Sequence, residues 1–188
     1  MAGMSQSGYN VIPTKLLWVD LEMTGLDPDK DRIIEVAAEI TDFDMKTLAS
    51  YEACISQSDD VLGAMDDWSM AQHSSSGLVE RIRRHGKPDH DVQHELTGFI
   101  NAQFNEEPAI LAGNSIHNDR IFIKHWWPNV DKLLHYRMLD VSSFKIVMQA
   151  KYGVMYEKKE NHRAFDDIQA SIAELQFYLD WFKSSANA

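Results

Sequence analysis

Acidic and histidine residues from three separate segments of this chain could together carry out metal-dependent chemistry. Asp20 and Glu22 lie in an apolar segment near the N-terminus, and Asp119 lies in the middle of the chain. His162 and Asp167 lie close together near the C-terminus. If they converge, four carboxylates would form a site for two hard divalent cations, with an imidazole beside it as a base. Such a site is suited to the hydrolysis of a phosphodiester.

The spacing of these residues predicts where each side chain points. Asp20 and Glu22 are two positions apart on a predicted strand, so both leave the same face. A divalent cation would relieve their mutual repulsion. Each residue also has a simpler interpretation. An Asp-x-Glu pair can mark the exposed end of a strand, helix capping alone favours carboxylates at Asp119 and Asp167, and His162 could be a surface histidine.

Hydrophobic periodicity predicts an α/β domain that begins with an antiparallel meander. Strands are predicted at 15–23, 32–43, 48–55, 109–112 and 136–140. The predicted helices alternate with the later strands. One is capped by Ser75 or Ser76 and ends at Gly86, one follows Pro88, one runs from Asn118 or Asp119 to about Trp127 before Pro128, and two more cover 141–151 and 166–182.

Length and composition predict a single soluble domain. We expect a flexible N-terminus over 1–10 and one domain over 11–184. No segment is typical of a signal peptide or a membrane span, and the lone Cys54 suits a reducing compartment, so a cytoplasmic location is expected. The net charge of -11 argues against a protein that grips long nucleic acid along a basic stripe.

Taken in order, these motifs resemble one known group of enzymes. The chain carries Asp-x-Glu in 18–27, Asn114 with Asp119, and His162-Arg163-Ala164 followed by Asp167. This combination resembles the DEDDh group of 3'-to-5' exonucleases. Within that group the likeness is to the oligoribonuclease family, extends over about 16–182, and also includes the segment 136–142.

The resemblance implies a fold, a reaction and a cofactor. The fold would be a single ribonuclease H-like α/β domain whose mixed five-stranded sheet is flanked by helices. The reaction would be 3'-to-5' hydrolysis of short oligoribonucleotides of two to five residues, diribonucleotides above all, to 5'-mononucleotides. Two Mg²⁺ or Mn²⁺ ions would be held by the four carboxylates, and His162 would be the general base.

The resemblance also implies three residues that contact the bases or the scissile nucleotide. Leu26 would wedge between the two bases, Trp68 would stack on a base, and His73 would support the scissile nucleotide. Without the resemblance, Leu26 could be core filler and Trp68 a partly buried aromatic residue.

A further set would close the substrate site at its second nucleotide. By resemblance, Ser115, Arg137 and Ser142 would cap the 5'-phosphate, and Tyr136 would enter from the other subunit of a homodimer. An Arg fork suits a phosphate. The two serines could otherwise be turn caps, and Arg137 with Tyr136 could be a surface or dimer-contact pair.

Three rival interpretations remain. A single-strand DNA exonuclease on the same fold would need a longer, basic groove, which the sequence does not indicate. A non-catalytic module would lack at least one of the five catalytic positions, whereas all five are present. A zinc helix through His90 and His94 would need a third ligand, and none is evident downstream.

Overall fold

The computed structural model describes residues 12–157 and 163–186. The expected flexible segment 1–10 and His162 lie outside these residues. Within them, the chain forms one mixed sheet with helices on both faces.

The sheet has five strands, as expected. They are β1 Lys15–Met23, β2 Ile33–Asp42, β3 Thr47–Cys54, β4 Ala109–Gly113 and β5 Leu134–Asp140, in the order β3-β2-β1-β4-β5. The β1–β2 and β2–β3 pairs are antiparallel, which confirms the meander, whereas β4 pairs parallel to both β1 and β5. The last strand begins earlier than the predicted Tyr136.

The central strand β1 is apolar on both faces because helices cover both sides of the sheet. Leu17, Val19 and Leu21 belong to one hydrophobic core. Leu16 and Trp18 belong to a second core on the opposite face. Since side chains alternate along a strand, Asp20 and Glu22 continue the face of Trp18 beyond the end of that second core.

The region between β3 and β4 contains four helices. They are α1 Asp59–Gly63, α2 Asp67–Ser75, α3 Leu78–His85 and α4 Asp89–Phe104. The sequence did not reveal α1 or α2, and the predicted capping role of Ser75 or Ser76 is wrong. Ser75 ends α2, Ser76 is its C-cap, and Gly77, at φ 73°, turns the chain into α3. Glycine adopts this left-handed conformation without a Cβ clash.

The later helices lie close to their predicted positions. They are α5 His117–Trp126, α6 Pro128–Asp131, α7 Val141–Val147 and α8 Ala164–Ala186. Pro128 follows the end of α5, as predicted, but it also begins α6, where its missing N–H costs nothing. The predicted helix over 141–151 is α7 followed by a π-helical turn, Met148–Tyr152.

Two helices provide most of the cover for the sheet. In the first core, Val92, Leu96 and Ile100 of α4 pack under β1 and β2. In the second, Ile168 and Leu175 of α8 pack beside Trp18. None of the helices in the described part of the chain is both long enough and apolar enough to cross a membrane. Because α8 packs beside Trp18, this long helix lies on the face of the sheet from which Asp20 and Glu22 project.

Candidate active site

Three of the predicted carboxylates meet where β1 passes the start of α8. Asp20, Glu22 and Asp167 each offer an oxygen, and these oxygens all lie within 4.8 Å of one another. Asp167 reaches the group because it stands in the first turn of α8, where its N–H donates to the Arg163 carbonyl at 2.9 Å. The predicted convergence of these three residues is therefore present in the structure.

The fourth carboxylate, Asp119, approaches from the opposite side of the strand. It lies in the first turn of α5 and is only 7% exposed. Its Oδ1 accepts a hydrogen bond of 2.9 Å from the Leu21 amide, between Asp20 and Glu22. This bond replaces a sheet bond, because β1 runs past the end of β4. Asp119 is not among the three residues whose oxygens lie within 4.8 Å, but it is attached to the same segment of β1.

The electrostatics of the cluster favour a cation. Burial, together with the nearby charges of Glu35, Asp167 and Asp119, raises the pKa of Glu22 to about 8, against the opposing charge of Arg81. Burial likewise raises the pKa of Asp119 to about 7, although the Leu21 hydrogen bond opposes this. Carboxylates that are costly to ionise together become ionised when a divalent cation binds them. The donor set, made only of oxygens, fits Mg²⁺ or Mn²⁺.

A fifth acidic residue, not predicted from the sequence, lies beside the cluster. Glu35 stands directly opposite Glu22 in the β1–β2 pair. Its Oε1 accepts from Arg81 Nη2 at 2.5 Å. The sequence feature that could have revealed Glu35 is an acidic residue within the apolar strand β2, because a buried acid almost always has a charged or hydrogen-bonding partner.

His73 lies against the cluster from α2. It is 7% exposed, its Nε2 is 2.9 Å from the Met23 carbonyl oxygen, and its Nδ1 is 3.9 Å from Glu22 Oε2. Burial lowers the pKa of the imidazole, which the contact with the Met23 carbonyl partly opposes. A neutral ring that donates from Nε2 to this carbonyl leaves Nδ1 facing Glu22.

Two large apolar side chains stand in solvent near the same end of the sheet. Leu26, in the loop after β1, is 80% exposed, and Trp68, in the first turn of α2, is 69% exposed. The simpler interpretation of Leu26 as core filler is therefore wrong, and Trp68 is mostly exposed. The helix that carries Trp68 also carries His73, and its N-cap Asp66 accepts from the Ser69 N–H at 2.8 Å.

The two predicted serines of the phosphate cap are brought together at the ends of β4 and β5. The Ser115 N–H donates to Ser142 Oγ at 2.9 Å and to Asp140 Oδ1 at 3.0 Å, and the two hydroxyl oxygens are 3.3 Å apart. Asn114 fixes this junction to α8, because its Nδ2 donates to Ser171 Oγ at 2.9 Å. The serines form part of a turn and cap network, and their hydroxyls lie side by side.

Tyr136 and Arg137 lie farther down β5, away from the carboxylates of the same chain. Arg137 precedes Asp140 by three residues, about 10 Å along a strand. The Arg137 guanidinium lies 5.2 Å from the centre of the Tyr136 ring, and both residues line a cavity with Lys15 and Phe104. From the strand register, Tyr136 is roughly 15–20 Å from Asp20, beyond the reach of its side chain.

The zinc helix receives no support. His90 and His94 lie on α4, and His90 pairs at 3.0 Å with its neighbour Asp91. Among residues 12–157 and 163–186, neither histidine belongs to a group of three or more potential metal ligands.

Comparison with known proteins identifies the class that this fold and site define. The family model described as Exonuclease matches residues 17–175. The site and the match together define a nuclease, and the cluster of Asp20, Glu22 and Asp167 is of the kind that holds divalent metal.

Curated relatives narrow the class. The oligoribonuclease of Yersinia enterocolitica is 40% identical over 171 residues, which cover 89% of this chain and 94% of that protein. The oligoribonuclease of Francisella tularensis is 43% identical over 165 residues, covering 87% and 93%. That of Shewanella loihica is 43% identical over 171 residues, covering 89% and 94%. The chain belongs to the oligoribonuclease family of exonucleases.

Solved structures confirm the fold. Escherichia coli exonuclease I in complex with a dA16 oligonucleotide superposes with a TM-score of 0.65 at 15% identity, covering 86% of this chain and 40% of that one. The zinc-bound form of its complex with single-stranded DNA gives 0.69 at 14%, covering 91% and 43%. The chain thus spans about two fifths of those structures. At this identity the match concerns the fold alone, and the ribonuclease H-like mixed sheet expected from the sequence is confirmed.

Proposed function

We propose that this protein is a 3'-to-5' exoribonuclease that hydrolyses single-stranded RNAs of two to five nucleotides, diribonucleotides above all, to 5'-mononucleotides. One observation carries the proposal: Asp20, Glu22 and Asp167 bring their oxygens within 4.8 Å of one another at the open end of β1. The names of the curated relatives supply the substrate class. The domain would extend over 11–184.

In the proposed mechanism, the carboxylates of Asp20, Glu22, Asp119 and Asp167 hold two divalent cations, Mg²⁺ or Mn²⁺. When bound, such a pair lowers the pKa of a water and stabilises charge on the attacking and leaving oxygens. Asp119 can serve while Oδ1 accepts the Leu21 amide, because a carboxylate has a second oxygen.

Proton transfer falls to His162, which follows from the family motif and lies outside the described residues. His162 would accept the proton of the attacking water as general base. His73 has a different role. Its ring is held by the Met23 carbonyl and lies beside Glu22, from where it would support the scissile nucleotide.

Substrate length follows from the groups on either side of the cluster. Leu26 would insert between the two bases, and Trp68 would stack on one of them, an interaction of about 1–3 kcal/mol per base. The neighbouring hydroxyls of Ser115 and Ser142 would cap the 5'-phosphate and leave no room for a third nucleotide. The family resemblance adds Arg137 to this cap, and its long side chain would have to extend toward the serines from about 10 Å down β5. A closed site of this kind suits a chain of net charge -11, which would repel long nucleic acid.

The position of Tyr136 supports a homodimer in the proposed function. Tyr136 is 58% exposed on the edge strand β5 and too far from Asp20 to reach the substrate of its own chain. A second subunit packed on this strand would deliver the residue in trans. We propose that the protein acts in the cytoplasm, in keeping with its lone Cys54.

The test compares two RNAs of the same composition, a 5'-phosphorylated diribonucleotide and a seven-residue RNA. Each is incubated with Mg²⁺ or Mn²⁺, with a chelated control. We expect the dinucleotide to be cleaved far faster and cleavage to stop on chelation. Equal or faster cleavage of the longer RNA would mean an open groove and would remove Ser115, Arg137 and Ser142 from the phosphate cap. Cleavage of neither RNA would favour a DNA substrate or a non-catalytic module.

A further inference from the structure

The loop that presents Leu26, residues 24–32, is held by a carboxylate outside the metal cluster. Leu26 is 80% exposed, so packing against the core does not fix its position. An apolar side chain in water stays in one place only if the backbone beneath it is held. Asp31, at the far end of the loop, makes the bonds that hold this backbone.

Asp31 ties both halves of the loop together with its two oxygens. Oδ1 accepts from the Thr24 hydroxyl at 2.9 Å, and Oδ2 accepts from the Asp27 N–H at 2.9 Å. These two residues flank Gly25 and Leu26. The Asp27 carbonyl in turn accepts from the Asp31 N–H at 2.7 Å, which closes the turn. Leu26 thus projects from a segment whose two ends are bound to one side chain.

Gly25 shows how closely the carboxylate packs under the loop. A Cβ at Gly25 would lie 2.5 Å from Asp31 Oδ2 and 2.7 Å from Oδ1. Any side chain there would push the carboxylate away from Thr24 and Asp27. The choice of glycine beside Leu26 therefore follows from the position of Asp31.

The end of the loop is anchored to α5. The Arg32 guanidinium lies 4.0 Å from the centre of the Trp126 ring, and its Nη1 donates to the Lys30 carbonyl at 2.7 Å. The Arg32 N–H donates to Thr24 Oγ1 at 3.0 Å, so the same hydroxyl links Asp31 and Arg32. The loop is thereby fixed to a helix as well as closed on itself.

We propose that Asp31 is a positioning residue that preorganises Leu26 for insertion between the two bases of a dinucleotide. The proposal rests on the proposed contact between Leu26 and substrate. Preorganisation improves binding because the loop is ordered before the substrate arrives. Asp31 itself contacts neither metal nor substrate, and its influence passes through Thr24 and Asp27 to Leu26.

The test uses diribonucleotide kinetics with Asp31→Asn. The single amide oxygen can replace only one of the two carboxylate acceptors, so either the Asp27 N–H or the Thr24 hydroxyl loses its acceptor while the side-chain size is kept. We expect KM to rise about ten-fold, with kcat within about two-fold of wild type, since the carboxylate cluster is unchanged. Asp29→Asn, in the same loop and exposed, is the matched control and should leave KM unchanged.

Thr24 provides a second, independent pair of variants. Thr24→Val removes the hydroxyl that bonds to Asp31 and should raise KM. Thr24→Ser keeps the hydroxyl, and its KM should be that of the wild type. If the Thr24→Val variant keeps the KM of the wild type, side-chain volume rather than the hydroxyl decides the position of the loop, and the proposal is overturned.

A double-mutant cycle with Leu26→Ala separates the two levels of the argument. If Asp31 acts through Leu26, Asp31→Asn adds nothing to KM once Leu26 is alanine. An equal rise in both backgrounds would show that Asp31 acts by another route, and the inference fails while the role of Leu26 stands. If Leu26→Ala alone leaves KM unchanged, the base wedge itself is wrong, and the inference falls with it.

Discussion

Replacing Glu22 with glutamine should stabilise the metal-free protein although it destroys the site. Glu22 has a pKa of 4.5 in the unfolded chain and about 8 in the folded one, because burial and its acidic neighbours penalise its charge. Below pH 4.5 such an acid is protonated in both the folded and the unfolded chain and therefore does not lower the free energy of unfolding. Between pH 4.5 and pH 8 it lowers the free energy of unfolding progressively more, and above pH 8 the loss is constant.

The cost works out at about 3 kcal/mol at pH 7 and about 5 kcal/mol well above pH 8. These figures apply because the Glu22 side chain is only 22% exposed. Glu22→Gln removes the penalty. For a domain of this size the expected gain at pH 7 is a melting temperature about 6–12 °C above wild type. The gain should shrink towards pH 5.5 and be largest at pH 8.5.

The assay is thermal unfolding in EDTA at pH 5.5, 7 and 8.5, repeated with saturating Mg²⁺. In Mg²⁺ the wild type should gain stability through binding and the variant should gain little, so that their difference narrows or reverses. Glu106→Gln, on the exposed loop after α4, is the control and should not shift the melting temperature. A Glu22→Gln gain that is absent in EDTA at pH 8.5, or equal at all three pH values, would refute the reasoning.

The site leads to four further predictions. Asp20→Ala or Asp167→Ala should abolish turnover while the far-ultraviolet circular dichroism spectrum stays native, and retained turnover would break the assignment of the metal site. Mn²⁺ binding should release protons at pH 7, because Glu22 with a pKa of about 8 is largely protonated there, and release should fall by pH 9; calorimetry in two buffers measures this. Trp68→Ala should raise KM for diribonucleotides about 5- to 150-fold. Arg137→Ala should lower the rate of cleavage of 5'-phosphorylated dinucleotides more than that of unphosphorylated ones. Equal losses of activity on both substrates would exclude a contact between Arg137 and the phosphate.

The sequence revealed the parts of the fold that depend on simple periodicity. Apolar runs located β1 and β2, and the stripe of Ile168, Ile172 and Leu175 located α8. It did not reveal α1 and α2, since these short helices expose polar residues on most faces and bury only a few side chains. Gly77 separates α2 from α3 through a left-handed turn, whereas the neighbouring serines suggested a cap.

For the candidate site, the sequence predicted carboxylates that converge in the structure, but not what holds them in place. Asp20 and Glu22 follow from strand alternation, whereas the pairing of Glu35 with Arg81 joins β2 to α3 across 46 positions and leaves no local pattern. The role of Asp31 was not apparent from the sequence, because its bonds to Thr24 and Asp27 depend on the path of the loop. Long-range contacts of this kind are set by tertiary structure.

The hydrogen bond from the Leu21 amide to Asp119 makes one backbone proton a reporter of the junction between β1 and α5. This amide lies between two proposed metal ligands, and its partner is a third. Its hydrogen-exchange rate therefore measures how often the helix start separates from the strand, independently of turnover. A metal ion that draws charge from Asp119 would weaken this acceptor and move the amide resonance, so cation occupancy on the α5 side can be followed in solution without substrate.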